Sequence, residues 1–104
     1  MVWVGMKKGL NSEIIIGKIK DKKKDFEDIG VKQLGLFGSY LRGEEKKDSD
    51  IDFLIEFDDV TLSKYSDALE LLKSMFRKKV DLIIKESLRS EFDYVRDEAV
   101  YVEI

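Results

Sequence analysis

Apolar residues return every three or four positions between Ser12 and Asp28, with Ile15, Ile19 and Phe26 on one stripe and Lys18 and Lys22 to Lys24 between them. That spacing predicts an amphipathic helix, with Ser12 as its cap and Gly30 as its stop. The lysines read as a solvated face rather than a contact for a partner or a nucleic acid. From Val31 to Phe37 the period drops to two, with Leu34 and Leu36 on one side, as in a strand. Periodicity then lapses. Gly38 to Asp50 opens on Gly-Ser, contains Gly43 and a polar run from Glu44 to Ser49, and reads as a loop with one short helical turn at Tyr40 to Arg42.

Alternation returns from Asp50 to Phe57. Ile51, Phe53, Ile55 and Phe57 share one face; Asp50, Asp52, Leu54 and Glu56 share the other. Thr61 can cap a helix running to about Arg77, whose Leu62, Tyr65, Leu69, Leu72 and Phe76 recur at helical spacing as core residues. Lys79 to Ile84 is a further strand, with Val80, Leu82 and Ile84 on one face and Asp81 and Ile83 on the other. Ser87 can start a helix to about Asp97 through Leu88, Phe92 and Val95, and Ala99 to Ile104 alternates weakly as a strand or tail. The pattern implies a small α/β sandwich with helices packed on the sheet. Residues 12–104 read as one domain, and residues 1–11 as an N-terminal extension.

Composition narrows the chemistry. A chain of 104 residues holds one modest core and leaves little room for a second domain. Nineteen basic and twenty-two acidic residues nearly cancel to −3, which argues against a general nucleic-acid coat. No run is long enough for a membrane span, and Met1 to Gly5 is too short for a signal peptide, so a cytoplasmic protein is expected. Histidine and cysteine are absent. Serine-histidine and cysteine-histidine nucleophiles, the usual zinc sites, thiol redox chemistry and disulfides are thereby excluded. Any catalysis must rest on carboxylates, lysine, arginine, tyrosine or hydroxyls.

Carboxylates are the strongest candidates. Asp50 and Asp52 point the same way along one strand, roughly 6.5–7 Å apart. Taken alone, Asp-Ile-Asp is more often solubility decoration than a site. Asp81 alters that weighing, because it interrupts an apolar run and is turned off the core face. If the two strands pair, three carboxylates converge, and their mutual repulsion is relieved by a hard cation such as Mg²⁺ that takes oxygen ligands and substrate phosphates. Gly38-Ser39 directly follows a strand, where a glycine lets the backbone approach a ligand and the hydroxyl adds a donor. Arg42, one turn on, can grip a phosphate bidentately. The four tyrosines, Tyr40, Tyr65, Tyr94 and Tyr101, read as packing or surface residues.

Together these give Gly38-Ser39, ten residues, then Asp50-Ile51-Asp52, followed by Val80-Asp81-Leu82-Ile83. The composite resembles the nucleotidyltransferase superfamily, in the small form shared with DNA polymerase β-like enzymes, which implies an α/β fold with a mixed β-sheet and helices packed on it. Leu36 to Gly43, Ser49 to Ile55, Lys78 to Leu82 and the tail Glu98 to Tyr101 look most similar to minimal nucleotidyltransferases. The resemblance spans about Ser12 to the C-terminus.

It implies a specific role. Such proteins are similar to the antitoxin half of a toxin–antitoxin module, whose partner is a HEPN-type ribonuclease toxin. The antitoxin transfers AMP from ATP to a tyrosine of the toxin and releases diphosphate. By this resemblance Asp50 and Asp52 would bind two Mg²⁺ ions and Asp81 would share the metal nearer the acceptor. Gly38 and Ser39 would hold the β- and γ-phosphates, helped by Arg42. The expected partners are ATP and a cognate toxin, with no membrane and no direct nucleic-acid contact. Two other readings stand beside it: a binding-only antitoxin with a vestigial site, and a nucleotidyltransferase acting on a small molecule or a nucleic-acid end.

Overall fold

The computed structural model describes Gly9 to Ile104; Met1 to Lys8, most of the expected N-terminal extension, lie outside the described residues. Helix α1 (Ser12–Asp21) buries Ile15 and Ile19 completely. Its cap is Asn11, not Ser12: Asn11 stays extended and its side-chain oxygen accepts from the Ile14 N–H at 2.9 Å. Ser12 is already helical and so cannot serve as the cap. The single helix expected to Asp28 is two. Lys22 leaves helical geometry, and α2 (Lys23–Ile29) resumes, buries Phe26 and ends on Gly30 at φ 106°. Lys18 and Lys22 to Lys24 are exposed, as expected, with Lys22 and Lys24 paired to Asp25 and Asp28.

Four strands follow: β1 (Val31–Phe37), β2 (Ile51–Phe57), β3 (Val80–Ile84) and β4 (Val100–Glu103), ordered β3-β2-β1-β4. β1 is antiparallel to β2 and β4, whereas β2 and β3 run parallel. Parallel neighbours need a crossover, and α4 (Leu62–Phe76) supplies it. The sheet is therefore mixed, as the resemblance to nucleotidyltransferases implies. Thr61 caps α4, its hydroxyl accepting from the Lys64 N–H at 3.1 Å. Among the described residues no helix is long and apolar enough to cross a membrane.

One sheet face carries the core. Leu34, Leu36, Ile51, Phe53 and Ile55 meet Ile15, Ile19, Phe26, Ala68 and Leu72 from the helices. Phe53 stacks on Phe76 at 6.1 Å. Each such side chain contributes about 1.5–3 kcal/mol by leaving water. Leu62 departs from expectation: it is 82% exposed, because the first turn of α4 projects past the packed face.

The second face is covered differently. The helix expected from Ser87 to Asp97 resolves into two 3-10 turns, Lys85–Ser87 and Ser90–Phe92, and a short α5 (Asp93–Glu98). Arg96 explains the turns: its guanidinium donates to the carbonyls of Lys85 and Leu88, which a continuous helix would use internally. Phe92, expected inside, is 40% exposed. Tyr101 lies across the face, its hydroxyl donating to the Arg96 carbonyl at 2.8 Å and Lys85 standing 4.5 Å from its ring centre. Beneath it sits Gly35, where a Cβ would come within 2.6 Å of the ring. Leu54, paired with Gly35, is thereby buried as well. Gly35→Ala should displace Tyr101 and cost about 1–3 kcal/mol in chemical denaturation. Unchanged stability would contradict this account of the glycine.

Candidate active site

The carboxylates gather at one end of this second face. Asp52 pairs with Asp81 across parallel strands that lie about 4.8 Å apart, so the two side chains rise side by side. Asp50 precedes β2 and is exposed. Its loop is braced by the Ile51 N–H donating to the Lys79 carbonyl at 3.1 Å, and by a turn in which Ser49 bonds back to Lys46. On the other flank, Phe37 pairs with Asp52, so the end of β1 delivers Gly38 directly beside that carboxylate.

Gly38 to Asp50 is not merely a loop. A five-residue helix, α3 (Gly38–Arg42), starts at Gly38 itself and closes on Gly43 at φ 73°. Gly38 adopts φ 80°, and a Cβ there would lie 2.9 Å from the carboxyl carbon of Asp52. Only a glycine both takes that conformation and leaves Asp52 its space. Ser39 is half-buried in the first turn. Arg42 is near enough to Asp52 to act on it electrostatically, yet its guanidinium donates to Glu44 at 2.9 Å and to Glu98 at 3.4 Å. The structure thus brings Gly38, Ser39, Asp52 and Asp81 together, places Asp50 alongside, and holds Arg42 on two carboxylates of its own.

Electrostatics mark the same spot. Burial pushes the Asp52 carboxyl up to about 6, Asp81 and Asp50 add to the rise, and Arg42 opposes it. Among the described residues no three acidic groups already enclose a cation. The donor set nonetheless fits one: an all-oxygen carboxylate pair, Asp52 half-buried and Asp81 exposed, with Asp52 unfavourably charged beside its neighbours. Mg²⁺ characteristically takes one or two carboxylates and completes its shell with water and phosphate.

Some contributions had no sequence signal. Glu98 reaches Arg42 only through the fold. Lys47, Lys78 and Lys79 line a cavity of about 280 Å³ with Asp48, Ser49 and Asp50, formed where two distant loops meet. Tyr40 is buried, Tyr65 donates to the Leu82 carbonyl at 2.6 Å, and Tyr101 is engaged as described; Tyr94 is at the surface. All four match their reading as packing or surface residues.

A glycine turn facing paired carboxylates on a mixed sheet is the equipment of metal-dependent phosphoryl-transfer enzymes. Residues 15–102 match the nucleotidyltransferase domain family, and the chain belongs to that family. It is 43% identical over 83 residues to the protein adenylyltransferase MntA of Thermococcus cleftensis, covering 78% of this chain and 84% of that one. A candidate protein adenylyltransferase of Methanocaldococcus jannaschii is 38% identical over 89 residues, covering 81% and 83%. Among solved structures, one described as a candidate minimal nucleotidyltransferase superposes with a TM-score of 0.75 at 24% identity, covering 89% of this chain and 97% of its own. A chain from the toxin–antitoxin pair MntA–HpeT gives 0.61 at 21%, covering 88% and 72%. The fold is that of a minimal nucleotidyltransferase.

Proposed function

We propose that this nucleotidyltransferase is an antitoxin that moves AMP from ATP to a tyrosine hydroxyl of a HEPN-type ribonuclease toxin and so silences it. The observation that carries the reading is Gly38 packed against Asp52 opposite Asp81: a phosphate-accepting turn and a cation-accepting pair on one edge. The relatives named as protein adenylyltransferases, and the fold shared with a toxin–antitoxin component, support the protein acceptor.

Asp50, Asp52 and Asp81 would hold two divalent ions, which when bound neutralise the triphosphate and stabilise the entering and departing oxygens. The Gly38 backbone lies close against the β- and γ-phosphates, and the Ser39 hydroxyl donates to them. Arg42 exchanges Glu98 for a phosphate oxygen. Asp81, on the side away from Gly38, orients the tyrosine hydroxyl and takes up its proton; that group ordinarily ionises near 10 and needs such help. The tyrosine oxygen attacks the α-phosphorus in line, the bond to the β-phosphate breaks, and diphosphate leaves. Alignment and charge neutralisation supply nearly all of the catalysis.

The test is to look for a small all-helical protein encoded in the neighbouring reading frame and to incubate it with this chain, ATP and Mg²⁺, followed by intact-mass analysis. The neighbour should gain one or more AMP units on tyrosine. An Asp50→Asn/Asp52→Asn variant should transfer none. Transfer that persists in that variant overturns the carboxylate mechanism, and neutralisation of the toxin without any added mass shows an antitoxin that acts by contact.

A further inference from the structure

The loops before β2 and β3 enclose the basic cleft beside Asp50. Lys47 reaches it from one loop, Lys78 and Lys79 from the other, and Ser49 forms its floor with Asp48 and Asp50. The cleft is not a chance gap between mobile loops. Ile51 N–H to Lys79 carbonyl ties the walls together, the Lys46–Ser49 turn stiffens one side, and Arg77 in the left-handed region at φ 54° turns the other side out of α4. None of these three lysines has an ion pair among the described residues, which they share with Lys18, Lys20, Lys23, Lys32, Lys46 and Lys85. Three lysines against two aspartates, Asp48 and Asp50, give the cavity lining a net charge of +1 on a chain of net charge −3, so the lysine side of the cleft is a local site for an anion.

Its position says which anion. Across the sheet the order is Gly38, Asp52, Asp81, since β1 and β3 flank β2 on opposite sides. If the leaving phosphates rest at Gly38, an in-line nucleophile must enter from the β3 side. The lysine cleft opens on that side, where Asp50 and Lys79 begin β2 and β3. We propose that this cleft seats an acidic segment of the acceptor protein, next to the hydroxyl that receives the nucleotidyl group. The assignment rests on the protein-acceptor reading above. It makes Lys47, Lys78 and Lys79 specificity residues for the acceptor, with no part in holding ATP. Opposite charge at the rim of such a contact speeds encounter and fixes register, and salt weakens it.

The experiment compares wild type with Lys47→Ala/Lys78→Ala/Lys79→Ala. Lysine heads at the surface can be removed without disturbing the core, and thermal melts check that the variant is folded. Fluorescently labelled poly-L-glutamate, followed by anisotropy, should bind wild type at low salt, release between about 50 and 200 mM NaCl, and fail to bind the variant. In the transfer assay the variant's KM for the neighbouring helical protein should rise about tenfold, while its KM for ATP stays within about twofold. Equal binding of poly-L-glutamate by both proteins overturns the proposal. So does an equal rise in KM for ATP, which would make the cleft a phosphate subsite, or binding of a single-stranded RNA oligomer in preference to poly-L-glutamate. Failure of wild type to transfer AMP at all removes the function proposed above, and the titration still decides whether the cleft takes acidic polypeptide.

Discussion

Asp52→Asn should abolish AMP transfer and yet make the metal-free protein harder to melt. The loss follows from taking one carboxylate out of the pair proposed to hold the cation: several kcal/mol of transition-state charge stabilisation would go with it, about a thousand-fold in rate. The gain has the same origin. Asp52 is half-buried opposite Asp81, and its carboxyl is raised from the ordinary 3.8 to about 6. A folded state that holds a proton more tightly than the unfolded chain is favoured at low pH. This contribution is full below about 4, fades as pH rises towards 6, and is absent above it, where the ionised group is a net burden. Asn carries no charge and escapes that burden. Discounted for the solvent that still reaches Asp52, the gain near neutrality is about 1 kcal/mol, or about 4 °C. Differential scanning calorimetry of metal-free wild type and variant from pH 4 to 8 checks both parts. The melting curves should converge at the acid end and separate above 6, and Mg²⁺ should raise only the wild type. A variant less stable than wild type at pH 7 would show that Asp52 serves the fold and not the site.

Gly38→Ala should be nearly as damaging to activity, for a steric reason. Its φ of 80° costs any side chain about 1–3 kcal/mol, and its Cβ would also drive into the Asp52 carboxylate. A displacement of about 1 Å at that carboxylate is enough for a hundred-fold loss in kcat/KM. Gly43 separates the two causes. It closes the same short helix at φ 73°, but a Cβ there meets nothing within 4 Å. Gly43→Ala should therefore show a similar loss of stability with transfer within several-fold of wild type. If both alanine variants lose activity equally, backbone strain and not the contact with Asp52 is what Gly38 relieves.

Much of this was open to inspection in the linear chain. Strict alternation placed Asp52 off the core face of β2, and a single acidic residue inside an apolar run did the same for Asp81. Their pairing required only that the two strands be neighbours. The Gly38-Ser39 turn was visible as a break between strands, and the helical turn expected at Tyr40 to Arg42 is there, although its start at Gly38 was not legible: a glycine start carries no propensity signal, and five residues are too few for a period. Long-range packing stayed hidden. Nothing near Gly35 announces that Tyr101 will lie over it, and nothing near Arg42 announces Glu98. The segment after Ser87 shows how a periodic pattern misleads. Leu88, Phe92 and Val95 fit a helix, but Arg96 folds back onto the carbonyls of Lys85 and Leu88 and stabilises tight turns in its place. Leu62 misleads in another way, since apolar spacing cannot say where a helix outruns the surface it packs on.

The parallel pairing of β2 with β3 bears on the order in which the molecule assembles. β1 and β2 are consecutive antiparallel strands and can pair earlier, whereas Asp52 and Asp81 become neighbours only after the whole of α4 has crossed the sheet. Joining strands across so long a loop is slow, because chain entropy is lost before contacts repay it. The β2–β3 joint is also one at which two like charges meet. Catalytic competence therefore waits on that crossover, and a divalent ion that quiets the repulsion would act on this chain as a folding partner as well as in catalysis.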